Sequence, residues 1–209
     1  MRIVIFGATG RTGHHLVAQA LSAGHEVRVF VRDASRLPVR HERLHIVQGD
    51  VLDASSVEQV VSNTDAILST LGHTKTSTND VQTVGVENIV GAMKKNSVSR
   101  LISLTGAGVR DEKDQPKLVD KVFRLLLKLL QPAVLEDAER QAEIIKASGL
   151  DWVIVRAPRL TDGPWTGKYR VGYVGKNSGT KISRADVADF MLGQLTADEY
   201  LHQQPMISY

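Results

Sequence analysis

Short apolar runs alternate with longer amphipathic stretches along this chain. The runs at 2–6, 26–31, 44–47, 66–68, 101–104 and 152–155 are rich in Val, Ile and Leu and do not alternate with polar residues. That pattern predicts strands covered on both faces of a sheet. Between them, 12–23, 55–62, 81–95 and 136–148 carry apolar residues at helical spacing, with Gly24 and Ser148-Gly149 as stop signals. Strand and helix in turn, joined by short links, predict right-handed βαβ units and an α/β fold with a doubly wound parallel sheet. Two stretches depart from the alternation. Residues 118–130 place Leu118, Val119, Val122, Phe123, Leu126, Leu127 and Leu130 on one face of a helix, with Asp120, Lys121, Arg124 and Lys128 opposite or beside it. Such a helix packs beside a cleft or a neighbouring subunit, or lies on a membrane surface. Residues 158–179 are rich in Gly and Pro and hold Trp165, Tyr169 and Tyr173, which predicts a small C-terminal substrate lobe built of loops at about 158–180. Arg184 then opens one more helix, to about Leu195, with Ser183 as its N-cap.

Length and composition narrow the class. The 209 residues are 42% hydrophobic and 23% charged, which fits one globular domain over 1–209. No cysteine is present, so thiolate metal sites, iron–sulfur ligation and Cys nucleophiles are excluded. A net charge of +3, scattered along the chain, argues against nucleic-acid binding. No run reaches the ~18 apolar residues of a membrane span, and the first residues do not form a signal-peptide core. The expected setting is the cytoplasm, with no membrane partner, as a monomer or homodimer.

The first strand runs into Gly7-Ala8-Thr9-Gly10-Arg11-Thr12-Gly13 and then a helix. Gly7 permits a tight turn off the strand, Gly10 lets a diphosphate approach the backbone, and Gly13 lets the helix pack on the sheet. The amides of Arg11 and Thr12 open the helix, where its dipole favours an anion. Gly7, Thr9, Gly10, Arg11 and Thr12 are therefore candidates to hold a dinucleotide. Where an NAD site places an acid after the second strand, this chain has Arg32, with Arg36 four residues on. Two guanidinium forks match a ribose 2′-phosphate, so NADP(H) is the expected cofactor. Asp33 complicates that reading, since its carboxylate can turn to the ribose or pair with Arg36. Asp50 and Val51, ending the third strand, are candidates for the adenine; Leu71 and Gly72, after the fourth, for the nicotinamide-side ribose.

These residues resemble the atypical short-chain dehydrogenase/reductases, most closely the biliverdin reductase B (NADPH-dependent flavin reductase) branch and the bacterial NAD(P)H-binding, NmrA-like proteins. The matching stretches are Ile5 to Gly13, Val31 to Pro38, Gly49-Asp50-Val51-Leu52 and Leu71-Gly72, with shorter matches at Asn88-Ile89-Val90, Ser148-Gly149-Leu150 and Ile182-Ser183. The resemblance implies a Rossmann-type domain in which those positions contact NADP. The substrate side differs. Leu104-Thr105-Gly106-Ala107 keeps the family's threonine but not its Cys and Ser, and the family's substrate-facing histidines correspond to Arg159 and Ala138.

No tyrosine has a lysine four residues on, so the proton-transfer pair of ordinary alcohol dehydrogenases is missing. Catalytic residues are therefore not assigned. Flavins, quinones and linear tetrapyrroles need chiefly a hydride and correct orientation. A small planar acceptor is the expected partner, and NADPH-dependent reduction the expected function. A non-catalytic NADP(H) sensor of NmrA type is the alternative, and a nucleotide-sugar epimerase or dehydratase a weaker one. On the substrate side the candidates are His73, Gly106, Arg159 and Trp165, with Thr105 read for the nicotinamide amide, the substrate or a strand cap. Arg159 either meets a substrate anion or pairs with Asp162 or Asp186; Trp165 is either a wall for a planar ligand or a packing anchor. The other histidines show no metal-ligand pattern, and no metal is expected.

Overall fold

The computed structural model describes residues 1–74 and 77–209. Six parallel strands occur where the apolar runs predict them: β1 (Arg2–Phe6), β2 (Glu26–Val31), β3 (Leu44–Gln48), β4 (Ala66–Ser69), β5 (Arg100–Gly106) and β6 (Asp151–Ala157). The crossover helices are α1 (Arg11–Ser22), α2 (Ala54–Val61), α3 (Val81–Lys95), α4 (Leu118–Leu130) and α5 (Pro132–Lys146). Beyond β6 lie three short strands, β7 (Arg159–Thr161), β8 (Arg170–Gly172) and β9 (Lys181–Ser183), then α6 (Arg184–Gly193) and β10 (Met206–Ser208). Ser183 does cap α6, its hydroxyl accepting from Asp186 N at 3.0 Å.

The main sheet runs β3-β2-β1-β4-β5-β6-β10-β8, and β7 pairs with β9 in a second, two-stranded sheet. The order reverses direction between β1 and β4, which opens a crevice at their carboxyl ends. The apolar side chains divide by sheet face. One cluster joins Ile3, Ile5, Leu16 and Val17 with Val187 and Met191, so α1 and α6 cover that side. The other joins Val4, Phe6, Val57, Ile89, Met93 and Ile145 under α2, α3 and α5.

Two features differ from the sequence expectations, and a third, α4, is set in one of the ways they left open. β3 is an edge strand with Ile46 exposed, so it is not covered on both faces. The lobe is not only loops: β8 and β10 extend the main sheet, β10 parallel to β6 and β8 antiparallel to β10. α4 does have the expected amphipathic face, but the face is turned outward. Leu118 is 78% and Leu130 76% exposed, with Val119, Val122, Phe123 and Leu126 also in solvent, while Asp120, Arg124 and Leu127 are the half-buried positions. Among the described residues no helix is long and apolar enough to cross a membrane.

One buried ion pair fixes the lobe against the sheet. Arg156, next to last in β6, has no exposed surface. Its guanidinium meets the Asp114 carboxylate twice, at 2.8 Å each, and donates to the carbonyls of Val109 at 3.0 Å and Gln204 at 2.8 Å. Asp114 also accepts from the amides of Asp111 and Val174. Burial alone would raise the Asp114 carboxyl; the bonds from Arg156, Asp111 and Val174 outweigh it and hold it below its ordinary 3.8. A carboxylate depressed on folding stabilises fully above its unfolded pKa and loses that contribution as pH falls through its folded pKa. Asp114→Ala strands a buried cation, and urea unfolding at neutral pH should show a loss of about 3–5 kcal/mol. The gap between wild type and variant should shrink as pH falls below that of an ordinary carboxyl; a gap that widens in acid would contradict the assignment.

Candidate functional site

The crevice at the β1/β4 switch is built by glycines that other residues cannot replace. Gly7 has φ +76°, and a Cβ there would stand 2.6 Å from the Thr70 carbonyl oxygen. A Cβ on Gly13 would lie 2.2 Å from the Gly7 carbonyl, so α1 presses against the turn. Thr70 Oγ1 lies 3.1 Å from the carbonyls of both Phe6 and Gly7, joining the ends of β4 and β1. Gly10 is different: its Cβ would sit 3.2 Å from Gly7 O, a tight but local contact. Gly10 is the N-cap position of α1, which has no side-chain cap and no acidic residue in its first turn. Its opening amides therefore face the crevice with the positive end of the helix dipole.

The crevice has two halves. The first, a cleft of about 430 Å³, is lined by Gly7, Thr9, Gly10, Arg32, Arg36, Asp50 and Val51 among others. The second, of about 360 Å³, includes Thr12, Thr105, Gly106, Leu127 and Leu135. Thr70, Leu71, Gly72 and His73 wall both. Of the candidate site residues, Arg11, Arg159 and Trp165 line neither half. Arg11 reaches Asp162 at 3.4 Å on the surface, and Trp165 is 63% exposed. The Asp33 carboxylate is taken by the amide and hydroxyl of Ser35, at 3.0 and 2.6 Å, and those bonds hold its pKa down. It forms no ion pair with Arg36 among the described residues, which leaves both guanidinium groups at the cleft. Arg32 Nη2 is 3.4 Å from Thr74 Oγ1. Asn88 donates to the Val51 carbonyl at 2.9 Å and so holds the floor beneath Asp50.

At the far end, Thr105 Oγ1 is buried with no hydrogen-bond partner among the described residues. A buried hydroxyl left unpaired costs free energy that a ligand can recover. His73 Nε2 lies 2.8 Å from Asp137, which is 2% exposed. The same carboxylate accepts from Gln82 N and Thr83 N at 2.9 Å, capping α3 from α5, and from Thr83 Oγ1 at 2.6 Å. Burial would raise Asp137, but these bonds prevail and lower it. Asp137 was missed in the sequence, where an acid within an amphipathic helix reads as surface; no local signal marks it. None of the four tyrosines lines either half. The Tyr169 hydroxyl is spent on Asp189, Tyr173 on Gln203 and Tyr209 on Asp186. Arg159 lines a neighbouring cavity instead. Neither expected acid pairs with it: Asp162 holds Arg184 at 2.6 Å, and Asp186 accepts from Thr166, Gly167 and Tyr209.

A family model described as NAD(P)H-binding matches residues 7–198. The chain belongs to the NAD(P)H-binding family. It is 24% identical to the uncharacterized protein YwnB of Bacillus subtilis over 98% of this chain and 96% of that one. It is 29% identical to a 3-diazoavenalumate denitrifying reductase of Streptomyces over 82% of this chain, and spans 60% of that relative's length. A short-chain dehydrogenase/reductase of Veillonella parvula, solved in complex with NADP, shares the fold at TM-score 0.83 and 21% identity, over 100% of this chain and 94% of that one. The residues present fit the dinucleotide that the family binds. A Cβ on Gly72 would meet no protein atom within 4 Å, the start of α1 is uncapped, and Thr105 offers an unpaired hydroxyl.

Two glycine variants separate fold from ligand. Gly10→Ala should unfold near the wild-type temperature yet bind NADPH at least about tenfold more weakly by fluorescence titration. Gly13→Ala should lower the melting temperature, because its new methyl meets backbone. Wild-type NADPH affinity in Gly10→Ala would remove the loop from the binding site.

Proposed function

We propose that this chain is an NADPH-dependent reductase of planar conjugated acceptors such as flavins, quinones or biliverdin-like tetrapyrroles. The observation that carries the reading is the character of the second cleft half. It has apolar walls at Leu104, Leu127, Leu135 and Leu160, one orphan hydroxyl on Thr105, and no tyrosine to serve a carbinol oxygen. The reductase name of the Streptomyces relative supports the direction of the chemistry.

In this reading the bound dinucleotide supplies a hydride, and the protein supplies its selection and placement. Arg32 and Arg36 select the 2′-phosphate. The amides at the start of α1 take the diphosphate. Asp50 and Val51 hold the adenine, while Leu71, Gly72 and Thr105 orient the nicotinamide side. Leu127 and Leu135 exclude water above an acceptor ring. His73, fixed by Asp137, stands on the wall common to both halves and is the side chain placed to deliver a proton as the acceptor is reduced.

Oxidation of NADPH should be measured with FMN, riboflavin, a quinone and biliverdin, with NADH as control. Turnover with several of these is the expected result; tight binding with no turnover across the panel would assign the chain to the sensor class instead. Arg32→Ala should weaken NADPH roughly ten- to hundredfold and NADH much less, since one charge-assisted hydrogen bond contributes ~1.5–3 kcal/mol. Equal losses for the two would remove Arg32 from the 2′-phosphate. His73→Ala should lower kcat by roughly tenfold, less than the ~10²–10⁴-fold of an obligatory general acid, because a delocalised product can also take its proton from water. An unchanged kcat would leave His73 as a wall only.

A further inference from the structure

Beside the crevice, between the amino-terminal half of α4 and the start of β7, lies a cavity of about 490 Å³. Val119, Phe123, Pro158 and Met206 give it apolar walls, and Arg110, Lys121 and Arg159 bring three cations to it. None of the three takes part in an ion pair among the described residues. Of the two acids that line the same space, Asp114 is locked to Arg156, while Asp120 accepts from Lys117 N at 2.8 Å and keeps its charge, so three cations face one carboxylate. The fourth cation, Arg124, is neutralised by Glu139 at 2.6 Å and donates to the Gly108 carbonyl at 3.2 Å. The space is thus apolar and carries uncompensated positive charge, a combination that favours an organic anion with an apolar body over either a neutral hydrophobe or a small inorganic ion.

Gly108 and Pro158 line both this cavity and the second half of the crevice. A Cβ on Gly108 would stand 3.1 Å from Leu127 and 3.2 Å from Leu135, so the partition is thin because that residue is glycine. We infer that the cavity is a binding site for the carboxylate or phosphate end of an amphiphilic molecule. Arg159, Arg110 and Lys121 take the charge, and Val119 and Phe123 cover the apolar stem. That the same molecule's conjugated ring occupies the neighbouring half of the crevice rests on the reductase reading; the cavity's preference for organic anions does not.

The site is tested with two fluorescent probes that differ by one charge, anilinonaphthalene sulfonate and its neutral analogue phenylnaphthylamine, titrated with NADP⁺ present. Arg159→Glu should weaken the sulfonate at least roughly tenfold, the loss expected of one charge-assisted contact, and change the neutral probe less than about twofold. Val119→Trp, which narrows the cavity from an exposed position, should weaken both probes. Leu129→Ser, on the outward face of α4, should weaken neither. Equal effects of Arg159→Glu on the two probes, or loss of binding in Leu129→Ser alone, would overturn the site and place the probes on the helix surface. The link to catalysis is read from FMN against lumiflavin, the same ring without the ribityl phosphate chain. Arg159→Glu should raise KM for FMN by a larger factor than for lumiflavin, and an equal change would detach the cavity from the acceptor. If neither flavin is turned over, the reductase reading fails, while the probe titrations still decide the anion site.

Discussion

The shape of the ligand-facing side depends on a guanidinium with no surface open to solvent. Removing two opposite charges from solvent costs several kcal/mol for each ion, and the attraction between them recovers this only with near-ideal geometry and every remaining donor satisfied. Arg156 spends four of its five N–H donors, two on Asp114 and two on carbonyls from separate segments. Asp114 and Val109 belong to the connection after β5 and Gln204 to the approach to β10, and Asp114 in turn takes the amide of Val174, in the turn after β8. Three pieces of chain with little local reason to adopt one shape are held to a single strand. The thin wall at Gly108 and the apolar space beside it follow from where that pair sets the connection between β5 and α4.

The fold was legible because its signals are local. A strand buried on both faces must be apolar throughout, and the helix after it must show its own period. For that reason β1, β2, α3 and α4 fall on the residues the pattern marks. The glycine turn was legible for the same reason: Gly7 and Gly13 are demanded by contacts within one βα unit. The elements that escaped notice are held by partners far along the chain. β8 and β10 are three residues each and pair through registers that no short window contains. Arg156 lies where the apolar run of β6 ends, and nothing nearby points to Asp114, 42 residues earlier. The His73–Asp137 contact joins a loop after β4 to the middle of α5.

α4 teaches a narrower lesson. Its period shows where the apolar stripe lies on the helix, and the stripe is there. Which way a stripe faces is set by the helix's attachment, and here the polar side is the anchored one. Arg124 ties α4 to Glu139 on α5 and to Gly108, while Leu127 alone of the leucines leans over the cleft. Trp165 and Arg159 differ in a similar way. Both were read as lobe residues near a substrate, but only Arg159 lines the cavity beside the crevice, because the loop bearing Trp165 is drawn toward α6 by the bonds of Thr166 and Gly167 to Asp186.

The four residues from Thr70 to His73 are a strap shared by two compartments, pinned at one end to the backbone of Phe6 and Gly7 and at the other to Asp137. Whatever settles in one compartment sets the position of a wall in the other. Where a ligand in one compartment shifts that strap, it changes the affinity of the other, and linkage makes the factor equal in both directions. That reciprocity runs through four residues of backbone.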